Sequence, residues 1–326
     1  MKIVFMGTPD IALESLEKIY NSDIEVSGVV TVPDRPSGRS NKIVYSPVKE
    51  FALKNNIRLF QPEKISSNKE FKDEIRAIDP DLVVVVSYGM ILPKSFLDIP
   101  KYGCINLHPS LLPKYRGAAP IQWAVLNGDK KTGVTIMYLD EGMDWGDIIS
   151  QEEVEIGDDE TTGELWKRLS TIGSEMLFKV IKNIEYGKIE RRKQEGEYTL
   201  APMIKKEISK INWNDKTASE IKNLVRGLNP FMGTYTFLGD KKIKIWKVQK
   251  LTEQEWQDFA RVINSKSMNL SVPNGTILLA DSKLGLYVKA LDGIISVIEI
   301  QGENARRMGV LDFLRGTKIE AGEQFD

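Results

Sequence analysis

Short apolar runs alternate with segments of helical periodicity through the first half of the chain. Apolar runs at residues 2–6, 25–31, 81–87, 102–108 and 134–139 predict β-strands. Between them, Thr8-Pro9 predicts the start of a helix that reaches about residue 20, and Ser46-Pro47 predicts another through residue 54. The run at 81–87 is rich in valine and does not alternate, as expected of a parallel strand covered on both faces. This alternation predicts an α/β domain with a doubly wound parallel sheet.

The pattern changes after a long amphipathic segment at residues 162–186. The apolar stripe of that segment predicts a helix packed on the core. A charged stretch follows, and then short apolar runs bounded by turn residues at 235–238, 242–248, 275–280, 285–290 and 294–300. Short strands with such turns predict a small antiparallel β-barrel. We therefore expect a first domain at 1–188, a linker at 189–207 and a second domain at 208–326.

The composition is that of an ordinary globular protein. The 326 residues are 41% hydrophobic and 28% charged, with a net charge of −1. No apolar run is long enough to span a bilayer, so we expect a cytoplasmic location. The single cysteine, Cys104, excludes an intramolecular disulfide, and with only one histidine the chain is not expected to bind a metal.

Positive charge is concentrated in two places. The segment at 32–42 is long, polar and basic for a connection inside a compact domain. Residues 205–250 contain eleven Lys and Arg residues and four Asp and Glu residues, a net charge of +7. A nucleic-acid partner would account for both features, although lysines scattered over a solvated surface would produce the same count.

The one histidine, His108, lies where the apolar run 102–108 enters a polar loop. Asn106 and His108 are two positions apart, so their side chains share one face of the strand. If the strand at 134–139 runs parallel beside it, the acidic loop that follows brings a carboxylate next to the imidazole. A carboxamide, an imidazole and a carboxylate together suit acyl transfer to an amine. A solvated acidic turn is the alternative for Asp140, Glu141 and Asp147.

Two nucleotide-binding motifs are not supported. Gly7-Thr8-Pro9-Asp10 follows the first predicted strand but lacks the three glycines of a dinucleotide fingerprint. No phosphate-binding loop of the Walker type is present. The sequence therefore predicts neither a dinucleotide cofactor nor NTP-driven chemistry.

Several motifs resemble those of the 10-formyltetrahydrofolate-dependent formyltransferases. The main motif is the segment at 106–117, from Asn106 through Leu107-His108-Pro109 to Arg116-Gly117, with Gly133-Val134-Thr135-Ile136 leading to Asp144. The resemblance covers essentially the whole chain and includes the Pro33-Asp34-Arg35-Pro36-Ser37-Gly38-Arg39 loop, typical of members that act on tRNA.

The resemblance implies a fold, a reaction and partners. The fold would be a Rossmann-like domain that holds the folate, followed by an OB-like barrel that helps bind tRNA. The enzyme would be a monomer that transfers the formyl group of 10-formyltetrahydrofolate to the α-amine of methionyl initiator tRNA. Asn106 and protonated His108 would stabilise the oxyanion, and Asp144 would orient His108 and relay the proton.

The resemblance also implies binding residues. Folate would be bound by Tyr88, Gly89, Ile91, Leu92, Pro93, Ser110, Leu111, Leu112, Pro113, Asp140 and Gly142. The tRNA would be bound by Arg35, Arg39, Lys42, Lys205 and Lys206. Trp145 departs from the family, which often has a small polar residue at that position.

Other functions compete with this interpretation. A formyltransferase acting on an amino sugar nucleotide shares the Asn–His–Asp arrangement, but the two basic segments favour tRNA. A glycinamide ribonucleotide formyltransferase has a single shorter domain. A non-catalytic RNA-binding protein would need only the barrel, and a folate-binding hydrolase would use water in place of the amine.

Overall fold

The computed structural model describes residues 1–37, 42–262 and 270–326, which form two compact units. The first unit comprises residues 1–121, 131–155 and 165–203. The second comprises residues 122–130, 156–164 and 204–326. The domain and linker limits inferred from the sequence stay predictions.

One seven-stranded sheet forms the centre of the first unit. Its strands and a separate short pair are β1 (Lys2–Gly7), β2 (Glu25–Val30), β3 (Pro36–Ser37), β4 (Lys42–Ile43), β5 (Leu59–Phe60), β6 (Leu82–Val86), β7 (Cys104–His108), β8 (Lys131–Tyr138) and β9 (Ile148–Glu155). The sheet order is β5-β2-β1-β6-β7-β8-β9, and β3 pairs with β4. Every residue of β6 is buried, which confirms the prediction of a strand covered on both faces.

The α/β domain is confirmed, but its sheet is mixed, so the parallel direction expected of the strand at 134–139 is wrong. The strands from β5 to β7 are parallel, whereas β8 is antiparallel to β7 and β9 is antiparallel to β8. An apolar strand pattern reports burial but not strand direction, which explains the error.

The helices of the first 185 residues agree in part with the prediction. They are α1 (Asp10–Tyr20), α2 (Pro47–Lys54), α3 (Lys69–Ile78), α4 (Lys94–Leu97), α5 (Pro120–Leu126) and α6 (Thr162–Glu185). Ser46 caps α2 as predicted, because its side chain accepts a hydrogen bond from the Lys49 amide. Thr8 does not cap α1: Pro9 occupies the N-cap position, and the Thr8 hydroxyl lies 3.5 Å from the Tyr88 carbonyl.

The predicted apolar stripe of α6 is buried as expected. Leu165, Leu169 and Leu177 are fully buried, and Ile172 is half-buried. None of the helices within the described ranges is both long and apolar enough to cross a bilayer.

The second unit is built on an antiparallel sheet. Its elements are a 3-10 helix (Lys206–Ser209), α7 (Ala218–Leu228), β10 (Thr234–Leu238), β11 (Lys241–Leu251), α8 (Glu253–Val262), β12 (Ile277–Asp281), β13 (Gly285–Lys289), β14 (Ile294–Gln301), β15 (Met308–Gly309) and α9 (Val310–Gly316). The order is β10-β11-β14-β13-β12, with β15 on β14. The five predicted strands are confirmed, whereas α7, α8 and α9 were not predicted.

The final segment of the chain joins the two edges of this sheet. Leu238 of the edge strand β10 forms an antiparallel bridge with Phe325, and Thr276, just before the other edge strand β12, forms one with Gln324. The edge strands therefore find backbone partners in the same segment, which closes the sheet as a barrel requires.

Candidate active site

The site is built around the carboxyl end of β7. This strand pairs with β6 on one side and β8 on the other, so its backbone is fixed within the sheet. Side chains alternate along a strand, and Asn106 and His108 therefore share one face. His108 is only 4% exposed, whereas Asn106 is half-buried.

Both ring nitrogens of His108 face acceptors. Nε2 lies 2.9 Å from the backbone oxygen of Tyr115, and Nδ1 lies 3.7 Å from Oδ2 of Asp144. A carbonyl oxygen can only accept, so Nε2 must carry a proton in this hydrogen bond. Nδ1 then faces a carboxylate oxygen. The Asp144 separation exceeds a normal hydrogen bond, so Tyr115 supplies the hydrogen bond that orients the ring.

Asp144 is itself anchored to the loop that follows His108. Its Oδ2 accepts a hydrogen bond from the Gly117 amide at 2.9 Å. Tyr115 and Asp144 both have left-handed backbone conformations, with φ of 61° and 57°. Non-glycine residues in this region carry strain of order 1–3 kcal/mol and occur often at functional sites. Both residues that face the ring nitrogens of His108 are thus held in costly backbone conformations.

The carboxylate reaches the imidazole by a route different from the predicted one. Because β8 is antiparallel to β7, the end of β8 at Tyr138 lies opposite Ile105, and His108 pairs with Thr135. The loop at 139–147 must therefore fold back to place Asp144 beside His108. The expected proximity is confirmed, but the reason given for it, parallel neighbouring strands, is wrong.

The Asn106 carboxamide is available for a ligand. The hydrogen bonds found among the described residues include none from its side chain. Within residues 1–37, 42–262 and 270–326, no group of three His, Cys, Asp or Glu side chains could hold a metal ion.

The side chains predicted to bind folate fall into two sets. Those of Tyr88, Leu92, Ser110 and Leu112 are buried, while Ile91 is 75% exposed. The other predicted positions, Gly89, Pro93, Leu111, Pro113, Asp140 and Gly142, are exposed or half-buried. The buried side chains can shape a pocket wall, and the exposed and half-buried positions can contact a ligand directly.

Two of the predicted positions carry features that fit a ligand. A Cβ on Gly89 would meet nothing within 4 Å, so space is open beside this residue. The buried Tyr88 hydroxyl makes no hydrogen bond among the described residues, and burial raises its pKa. By contrast, the Ser110 hydroxyl donates to the Lys114 carbonyl at 2.7 Å, and the Asp140 carboxylate accepts from the Gly142 amide at 2.9 Å. Ser110 and Asp140 therefore act within their own loops.

The predicted tRNA contacts are less fully described. Arg35, Lys205 and Lys206 are exposed. Arg39 lies outside the described residues, as does the side chain of Lys42. The three exposed cations are free to meet phosphates, which agrees with their predicted role without testing it.

Sequence reasoning missed four residues that hold the site together. Tyr115 and Gly117 contact His108 and Asp144 through backbone atoms, which every residue type possesses. Thr199 belongs to no recognisable motif, yet its hydroxyl accepts from the Tyr115 amide at 2.9 Å. Gln194 lies in the charged segment predicted to be a linker and donates to the Asp144 carbonyl at 2.8 Å.

This fold and site agree with a family match along both units. Residues 1–181 match the family model described as formyl transferase, and residues 203–318 match the model described as formyl transferase, C-terminal domain. The chain belongs to the formyl transferase family. Among its relatives, methionyl-tRNA formyltransferases from Clostridioides difficile and Acetivibrio thermocellus are each 46% identical to it, across 99% of this chain and 99% of each relative.

Solved structures with less sequence similarity share the fold. The sugar 3N-formyl transferase WlaRD, crystallised in the presence of dTDP and 5-N-formyl-THF, is 23% identical with a TM-score of 0.64 and covers 91% of this chain and 97% of its own. HypX from Aquifex aeolicus, in complex with tetrahydrofolic acid, is 15% identical with a TM-score of 0.62. The match covers 99% of this chain and 50% of the HypX chain. At these identities the likeness concerns the fold alone.

Proposed function

We propose that this protein transfers the formyl group of 10-formyltetrahydrofolate to the α-amino group of methionyl initiator tRNA, forming N-formylmethionyl-tRNA for translation initiation. The observation that carries this assignment is the full-length similarity, 42–46% identical, to methionyl-tRNA formyltransferases. The sugar formyltransferase WlaRD, by contrast, is only 23% identical to this chain. We also propose that the enzyme acts as a monomer in the cytoplasm.

The residues near His108 fit a formyl donor. Open space beside Gly89, together with the Tyr88 hydroxyl and the Asn106 carboxamide, which make no hydrogen bond to the described residues, would face a ligand that needs both apolar cover and hydrogen bonds. Leu112, Met137 and Ile148 form a small apolar cluster that can support the wall. The folate supplies a formyl group bonded to nitrogen, and the carbon of this formyl group is the electrophile of the reaction.

Each polar group of the site has a role in transfer. The Asn106 carboxamide donates to the formyl oxygen as negative charge develops there. Nδ1 of protonated His108 donates to the same oxygen, because Nε2 is already committed to Tyr115. Oδ2 of Asp144 is bound by the Gly117 amide, and Oδ1 remains to accept the proton of the attacking amine. As the bond between the formyl carbon and the folate nitrogen breaks, Asp144 passes this proton to that nitrogen, and tetrahydrofolate leaves.

The tRNA is bound by cations from two segments of the sequence. Arg35 and the proposed contacts Arg39 and Lys42 belong to the basic segment at 32–42, and Lys205 and Lys206 open the second basic stretch. Such contacts attract phosphates electrostatically and read little sequence.

A direct assay tests this function. Formyl transfer from 10-formyltetrahydrofolate to methionine-charged initiator tRNA should be fast, and uncharged tRNA should accept nothing. Transfer to an amino sugar nucleotide and not to the tRNA would refute the assignment of tRNA as the acceptor. Release of formate alone would identify a hydrolase.

A further inference from the structure

Residues 189–203, part of the predicted linker at 189–207, are hydrogen-bonded to the rest of the first unit at two places. Arg192 exchanges two backbone hydrogen bonds with Ile148 at the start of β9, at 2.8 and 3.0 Å. Further on, the Arg116 amide donates to the Thr199 carbonyl at 2.9 Å, and the Ala201 amide donates to the Arg116 carbonyl at 2.7 Å. Gln194 lies between these attachments, so its backbone is held on both sides.

The half-buried Gln194 carboxamide uses both of its ends. Its Nε2 donates to the backbone oxygens of Asp144 at 2.8 Å and Gly146 at 2.9 Å. Its Oε1 accepts from Arg116, at 3.1 Å from Nε and 2.6 Å from Nη2. One neutral side chain therefore ties the turn that carries Asp144 to the loop that follows His108.

Arg116 depends on this link. Its side chain is buried, and burial lowers its pKa. The guanidinium packs 3.8 Å from the ring centre of Trp145 and 5.0 Å from that of Tyr198. Its Nη1 has no hydrogen-bond partner among the described residues. Without Gln194 a buried cation would lose strong hydrogen bonds, so the arrangement cannot relax cheaply.

The neighbours of Arg116 make this link relevant to the reaction. Tyr115 accepts the hydrogen bond of His108 Nε2, and Gly117 donates to Asp144 Oδ2. A shift of Arg116 would move both at once. Gln194 holds the other side of the same pair through the backbone of Asp144. Gln194 thus fixes the position of the His108 imidazole relative to the Asp144 carboxylate in two ways, through Arg116 and through the backbone of Asp144.

We infer that Gln194 is a positioning residue for formyl transfer, which holds Asp144 in place beside His108. This inference rests on the proposed function, because it assigns Gln194 a role through the proposed catalytic pair. The Trp145 ring covers the Arg116 end of the link, which gives this departure from the family pattern a structural role.

The first experiment compares Gln194→Met in two backgrounds. In the otherwise unchanged enzyme, kcat should fall about 10- to 100-fold, the scale expected when reacting groups are misplaced by about an ångström. KM for folate and tRNA should stay within about twofold if binding is untouched. In an Asp144→Ala background the same substitution should change kcat by less than about threefold, because residues acting as a unit are not additive. Glu195→Ala, an exposed neighbour, is the control.

Several results would overturn the inference. They are an unchanged kcat, a loss confined to KM, or an equal fold-loss with and without Asp144, as a general structural role would produce. If Gln194→Met does not fold, Gln194→Glu replaces it. That variant keeps an acceptor for Arg116 but turns a carboxylate oxygen toward the Asp144 and Gly146 carbonyls, so it should still lower kcat.

A second measurement does not depend on activity. The chain has one histidine, so its imidazole NMR signals belong to His108 without further assignment. Gln194→Met should shift these signals and speed exchange of the Nε2 proton, while Glu195→Ala should not. Unchanged signals would overturn the positioning role. If the unaltered enzyme transfers no formyl group, the proposed function fails, and these signals still decide whether Gln194 positions His108.

Discussion

The surroundings of His108 and the basic stretch at 205–250 hold their polar groups in contrasting ways. At His108 the groups are buried or half-buried, and their partners are mostly backbone atoms at fixed positions. In the basic stretch Lys205 and Lys206 are exposed, while Lys222 is paired with Asp159 at 2.5 Å. Arg226 is buried and donates to the carbonyls of Gly157 and Glu160 at 3.1 Å.

The difference separates two physical tasks. Proton handling needs atoms placed to within fractions of an ångström, so buried groups with fixed partners suit it. Attraction of a polyanion works through charge at a distance and tolerates mobile side chains. The net charge of +7 also overstates the binding surface, since Arg226 and Lys222 are used inside the second unit. Changes near His108 should therefore affect turnover strongly, and changes among exposed lysines should affect tRNA binding weakly.

The largest expected effect is at His108 itself. His108→Ala should lower kcat by about 10²–10⁴, the scale of a positioned acid–base group, while folate and tRNA still bind. Single-turnover transfer with separate binding measurements checks this. Turnover near that of the unaltered enzyme would remove His108 from the mechanism.

A backbone position should come next. Gly117 has φ of 122°, and a Cβ there would lie 2.8 Å from the Ala201 carbonyl oxygen. Gly117→Ala should destabilise the fold by about 1–3 kcal/mol through strain, and displacing the amide that binds Asp144 should lower kcat about tenfold or more. Denaturant unfolding and steady-state kinetics measure the two effects.

Gly196→Ala provides the matched control. Gly196 also has a positive φ, of 90°, but a Cβ there would meet nothing within 4 Å. The Gly196→Ala substitution should therefore lower the stability of the fold somewhat without lowering kcat. Equal kcat losses in both variants would show that the close contact between the new Cβ at position 117 and the Ala201 carbonyl oxygen does not cause the loss.

A smaller effect is expected in the basic stretch. Replacing both Lys205 and Lys206 by alanine should raise KM for tRNA several-fold at moderate salt and leave KM for folate unchanged. The slope of log KM against log salt should fall by about 0.7–0.9 for each phosphate that the variant no longer neutralises. Lys54→Ala with Lys64→Ala, two other exposed lysines, is the control, and an equal change there would refute a local tRNA contact.

The smallest effect concerns the base of the segment at 32–42. The Asp34 carboxylate accepts hydrogen bonds from Lys49 and from Gln61 Nε2. Both hydrogen bonds lower the pKa of Asp34, and the one from Lys49 has the larger effect. Its folded pKa lies below the unfolded value, so its stabilisation is present above the unfolded pKa and is lost as pH falls through the folded pKa. Asp34→Asn should cost about 1 kcal/mol or less at neutral pH, since the pair is partly exposed.

The pH dependence of that difference checks the assignment. Unfolding of both proteins, followed from pH 7 down to pH 3, should show the two stabilities converging below about pH 4, near the ordinary Asp pKa. A constant difference over this range would mean that Asp34 contributes by packing and not by charge.

Much of the fold followed from local patterns in the sequence. The valine-rich run at 81–87 predicted the buried β6, Ser46-Pro47 predicted the start of α2, and the two-residue spacing placed Asn106 and His108 on one face. The capping box of α7, between Thr217 and Glu220, was also legible but was overlooked. Periodicity and capping act over a few residues, so one segment is enough to reveal them.

Only the tertiary structure decided how the site is completed. The direction of β8 could not be read from its apolar pattern, because burial is the same for parallel and antiparallel edges of a covered sheet. The contacts of Tyr115 and Gly117 are made by backbone atoms, which leave no signature in residue type. Gln194 meets Arg116 at a sequence separation of 78 residues, and such a pairing depends on chain packing. The sequence thus determined which groups could do the chemistry, and packing determined what holds them in place.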